Sequence, residues 1–159
     1  MEMLGALSGI LIDPDTGRIE GFFVHEKALL SSGDSFLSTV DILHWGARIV
    51  VRSRDVLAPV EERIRLRPLL ASPRPLLGQR IVTEGGQFLG RCGDVQFSTK
   101  DFRIEWLFPR RWWRFGIPIP VSQIIDVRRE AVVVRDLVVP TEGEDHESVP
   151  ILNPLPDAA

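Results

Sequence analysis

Apolar positions along this chain fall in short, β-branched runs interrupted by turn residues, the pattern of strands rather than of long helices. Ile10-Leu11-Ile12 runs into Asp13-Pro14-Asp15-Thr16-Gly17, where proline presets φ and glycine reaches the left-handed region. Ile19 to Val24 resumes the apolar run, so residues 8–24 read as a hairpin. Ala47 to Arg52 is a further strand, with Ile and Val set between arginines. Gln79 to Thr83 and Gln87 to Phe97 flank Gly85-Gly86, a second hairpin signal. Phe102 to Phe108 and Ala131 to Asp136 complete the predicted strands. Helical periodicity is weak: Val60, Ile64 and Leu69 share a stripe, but Pro68 limits Val60 to Leu70 to a short helix at most. Ala71 to Pro75 holds two prolines and reads as a stiff linker. The predicted organisation is a unit over 1–70, the linker 71–75, a second unit over 76–140, and an acidic, proline-containing tail over 141–159.

The two units repeat each other. Arg18-Ile19-Glu20 returns as Arg103-Ile104-Glu105, a shift of 85 positions that also lays Leu4-Gly5 on Leu89-Gly90 and Ile10 on Val95. A shift of 83 aligns Ile49-Val50-Val51-Arg52 with Val132-Val133-Val134-Arg135. The stretch from Gly78-Gln79-Arg80-Ile81 through Gly85-Gly86-Gln87-Phe88-Leu89-Gly90 to Asp94-Val95 resembles the opening of a PRC-barrel domain. Ile117 to Val127, followed by Ala131 to Arg135, resembles that family's last strands, and the likeness covers about residues 4–53 and 76–136. The resemblance implies a mostly β fold: two small, strongly bent antiparallel β-barrels in tandem, with a short helix or linker between them. Such domains resemble the cytoplasmic domain of the photosynthetic reaction-centre H subunit and the C-terminal domain of a ribosome maturation factor, which implies docking without bond chemistry. One departure stands out. The first copy starts at Leu4-Gly5 and has no counterpart of the strand over 76–84, which leaves unpaired backbone edges. The other copy, the Leu137-Val138-Val139 segment or a partner's strand would fill that gap. A coding start upstream of Met1 is the plain alternative.

Composition narrows the function. The 159 residues carry 19 basic and 22 acidic side chains, a net charge of −3. Five acids, Glu142, Glu144, Asp145, Glu147 and Asp157, lie in the tail with no Lys or Arg, so residues 1–140 hold 19 basic against 17 acidic, or +2. A near-neutral body offers no concentrated basic surface for phosphate. No apolar run is long enough for a membrane-spanning helix, the N-terminus lacks the pattern of a signal peptide, and Cys92 alone forms no intrachain disulfide. A cytoplasmic location is expected. His25, His44 and His146 lie far apart and have no zinc spacing. Gly85 to Gly90 lacks the Lys-Ser/Thr of a phosphate loop, and Asp13-x-Asp15-x-Gly17 lacks the remaining ligands of a calcium loop. Neither metal, cofactor nor enzymatic activity is expected, and Cys92 reads as a small packing residue.

One segment is distinctive: Pro109-Arg110-Arg111-Trp112-Trp113-Arg114-Phe115. Three guanidiniums interleaved with three aromatics suit a protein partner, because Trp and Arg bury large rigid surface at little entropic cost. The same side chains suit stacked bases or a membrane interface. A structural role, with one Trp plugging a barrel end under arginine lids, competes with these. Adjacent tryptophans on a strand point to opposite faces, so at least one is expected to be exposed. Trp45 and Trp106 are expected in the core. Partner binding is thus placed on Arg110, Arg111, Trp112, Trp113, Arg114 and Phe115. The expected function is a non-catalytic module docking a protein or larger assembly through this loop and its strand edges. A ribosome- or RNA-associated factor, a peripheral membrane protein, and a homodimer through the open edge are the other readings.

Overall fold

The computed structural model describes residues 2–27 and 34–136, and within them the protein is mostly β. Strands β1 (Gly5–Asp13) and β2 (Arg18–Glu26) form the first hairpin, and β3 (Ser35–Ser38) pairs with β2. A 3₁₀ turn, Thr39–Asp41, leads into β4 (Ile42–His44), which pairs with β5 (Val50–Val51). Short 3₁₀ turns then lead to α1 (Arg67–Ala71). The second half comprises β6 (Arg80–Thr83), β7 (Phe88–Ser98), β8 (Arg103–Arg111), β9 (Arg114–Phe115), β10 (Ile119–Pro120), β11 (Ile124–Val127) and β12 (Ala131–Val134). Ten strands form one mixed sheet along the path β1-β2-β8-β7-β6-β12-β11, with β3, β9 and β10 attached to its side. The path is open among the described residues, and β4–β5 form a separate small sheet. Only β6 and β12 run parallel.

The two long hairpins share their irregularities. In β1–β2 the register slips between Leu7 and Gly9 and between Leu11 and Ile12. In β7–β8 it slips between Cys92 and Asp94 and between Gln96 and Phe97. Each slip lies 85 positions from its counterpart, so the same extra residues bend both hairpins. The hairpin turns meet at one residue pair, Arg18 opposite Arg103. There Ile19 N donates to Phe102 O at 2.7 Å and Ile104 N donates to Gly17 O at 2.9 Å, two bonds that exchange when the halves are exchanged. Gly17 (φ 67°) and Phe102 (φ 52°) both turn left-handed at that junction.

Both faces of β2 are covered. Ile19 and Phe22 join the main core with Ile81, Cys92, Leu107, Ile119, Val132 and Val134, so one core draws on both halves. Phe36, Val60 and Leu66 form a second cluster beneath Phe23. Arg65 reaches over it to Glu20, Nη1 to Oε2 at 2.6 Å, which supplies the partner that a nearly buried carboxylate requires.

Several sequence expectations change here. Pro68 opens α1 rather than breaking it, because the first helical turn has no use for the N–H that proline lacks. The strand expected over Ala47 to Arg52 shrinks to Val50–Val51, whose ladder has a partner on one side only. Trp106 is 39% exposed rather than core. The bulge at Glu105 puts Ile104 and Leu107 inward, three positions apart, and Trp106 falls on the outer face. Trp45 meets the expectation in part, packing its ring 5.0 Å from Phe22 and 5.4 Å from Phe97 while remaining half-buried. The tail over 141–159 and Leu137-Val138-Val139 lie outside the described residues.

Candidate docking surfaces

The Arg-Trp segment is a hairpin tip rather than a loop. β8 runs on through Arg110 and Arg111, Trp112-Trp113 make the turn, and β9 returns with Arg111 opposite Arg114 and Arg110 opposite Phe115. Trp112 adopts φ 59°, a conformation that a bulky L-residue avoids and glycine takes readily. Neither ring is packed away: Trp112 is 85% and Trp113 78% exposed, in edge contact with each other at 6.2 Å. Phe115 (59%) and Ile117 (73%) extend the apolar surface beside them. Plugging of a barrel end is therefore not what these tryptophans do among the described residues.

The arginines are arranged around the aromatics. Arg111 lies 5.5 Å from the Phe88 ring, which Arg80 also covers at 5.2 Å. A side chain at Gly93 would press on Arg110 and Phe115, so glycine there lets both lie across β7. Among the described residues no carboxylate pairs with Arg110, Arg111 or Arg114. Their charge is left for something outside these residues. All six residues expected at the site thus converge on one exposed tip.

A second surface was missed by residue-level reasoning. A cleft of about 790 Å³ opens between β1 and β5, walled by Met3 to Leu7 on one side and Arg48 to Arg52 on the other, with Val24 and Leu37 on its floor. Arg48, Arg52 and Arg54 stand around it, with Glu2 as the acid in its lining. Arg54 is already drawn to Glu26, 3.0 Å away, while Arg48 and Arg52 have no carboxylate among the described residues. The absent counterpart of strand 76–84 was the available signal.

Cys92 is buried, and burial pushes its thiol up to about 11, out of the range of a nucleophile. Among the described residues no three metal-ligating side chains gather, and no helix is long and apolar enough to cross a membrane. In comparison with known proteins, no family model matches the chain and no curated protein matches it.

Proposed function

We propose that this chain is a non-catalytic docking module, built from two PRC-barrel-like units in tandem, that holds a protein partner through the Trp112–Trp113 tip and its strand edges. The tandem reading draws support from the paired bulges 85 positions apart and from the reciprocal bonds at Gly17 and Phe102. The docking reading rests on one observation above all: Trp112 occupies a left-handed position while presenting its ring to solvent. That conformation costs about 1–2 kcal/mol, and the ring's aromatic contact among the described residues is with Trp113, itself exposed. Two exposed tryptophans with three arginines that no carboxylate pairs among the described residues have the composition of an interface anchor. Apolar area of this kind is gained for stability only when a partner covers it.

A nuclease-treated capture experiment compares the wild type with the Trp112→Ala/Trp113→Ala variant. A defined set of proteins held by the wild type and lost by the variant is the expected result. Equal capture by both would remove the tip from the reading. Binding that vanishes with nuclease, or that needs anionic vesicles, would replace a protein partner with RNA or membrane.

A further inference from the structure

We infer that the cleft between β1 and β5 is an acceptor for one β-strand of another polypeptide, with acidic residues flanking two alternating apolar ones. This rests on the tandem docking reading above and specifies the partner of its strand edge.

The second half supplies the template. There β6 lies between β7 and β12, antiparallel to the first and parallel to the second. Ile81 sits opposite Gly90 and Val132, and its side chain is fully buried. Shifted by 85, Gly90 becomes Gly5; shifted by 83, Val132 becomes Ile49; both line the cleft. Gly5 and Gly90 are alike in a further respect. A side chain at either would strike the carbonyl of the neighbouring strand, His25 O or Arg110 O. Backbone groups tell the same story. Cys92 N donates to Gln79 O at 2.8 Å, and Cys92 O accepts from Gly78 N at 2.8 Å. The equivalent groups belong to Leu7, which has no backbone bond beyond the β1–β2 ladder among the described residues. Two edges that line one cleft lack, among the described residues, the ladder that β6 supplies in the other half.

Charge specifies the occupant. Arg80 of β6 sits opposite Ala131, and the position equivalent to Ala131 is Arg48. An arginine opposite Arg48 would be repelled, whereas a carboxylate would be paired. Glu84 bonds through its backbone N to Val134 O at 2.9 Å, next to Arg135, and the equivalent of Arg135 is Arg52. The pattern that fits is acid, apolar, any residue, apolar, acid.

This chain's own segments fit poorly in cis. Four strands separate β1 from β12 in the sheet, an expanse on the order of 24 Å at strand spacing, so three residues following Asp136 do not reach. Val149-Pro150-Ile151 places a proline where a strand between two neighbours needs an N–H.

The test uses the full chain and two blocked peptides, Ser-Glu-Ile-Thr-Val-Glu-Ser and the same peptide with Arg for both Glu. Amide exchange at Leu7 and at Ile49 to Val51, together with Trp45 fluorescence, reports binding. Protection at both edges by the Glu peptide is expected. Arg48→Glu/Arg52→Glu should weaken that peptide about tenfold and turn preference to the Arg peptide. Both arginines are exposed and hold no ion pair among the described residues, so the fold is expected to be retained, which circular dichroism of the variant checks. No protection, or protection without charge preference, overturns the inference. Self-association abolished by removing residues 137–159 would make a second copy the occupant and overturn it equally. If the peptides fail while the tryptophan variant still loses its partners, the docking module stands and the strand acceptor falls.

Discussion

Trp112 and Cys92 show how far a single residue can be read. Glycine at Trp112 would relieve the left-handed backbone and remove an exposed ring whose aromatic contact among the described residues is with the likewise exposed Trp113. Trp112→Gly is therefore expected to stabilise the fold by about 1 kcal/mol in urea unfolding while weakening capture of the partner. A loss of stability would mean that the ring packs against something in the isolated chain. Cys92 behaves in the opposite way, since burial and the nearby Asp94 carboxylate hold its thiol neutral up to about 11. Its folded value lies above the ordinary 9.0, so the stability it lends is complete below pH 9 and drains away as pH rises towards 11. Alkaline unfolding followed by circular dichroism should show that decline, and Cys92→Ala should flatten it. A thiol reagent at pH 8 should label Cys92 only as fast as the protein unfolds.

At the scale of elements, register is controlled by a few small residues. A side chain on Gly21 would collide with Leu37 O and the Phe36 ring, so glycine permits β3 to lie on β2 and Phe36 to seat in the second cluster. Gly21→Ala is expected to cost about 1–3 kcal/mol, read as a lower urea midpoint with unchanged slope. A neutral result would show that β3 can move away cheaply. The turns from β1 to β2 and from β6 to β7 were legible, because Asp13 to Gly17 and Gly85-Gly86 carry their own turn chemistry. The bulges were not. Nothing local marks Glu20 or Glu105 as extra residues; the slip emerges only when the partner strand is present. That is why Trp106 read as core and lies on the outer face.

For the whole molecule, one core draws on both halves of the chain. Ile12, Ile19 and Phe22 pack in one cluster with Leu76, Ile81 and Val132. Arg74, between α1 and β6, grips Asp15 at 2.6 and 2.8 Å and Val127 O at 3.3 Å, tying the first hairpin turn to β11. Unfolding should accordingly be a single transition, with Trp45 fluorescence and Cys92 labelling changing together. Two separate transitions would show that each unit folds alone. The Arg74 guanidinium lowers the Asp15 carboxyl below its usual 3.8, so the pair stabilises above pH 4 and is lost as pH falls through the folded value. Asp15→Asn should shallow the acid limb of the stability profile without altering its alkaline limb.

By itself the sequence determined that the chain is mostly β and where the turns from β1 to β2 and from β6 to β7 fall. Both follow from local chemistry: turn residues and β-branched runs are carried by neighbours along the chain. Only the tertiary structure decided that the six Arg-Trp residues stand on one exposed hairpin tip and that residues 4–7 and 48–51 face each other across a cleft. Those depend on which strands become neighbours, and strand neighbours are chosen by burial and register across the whole sheet.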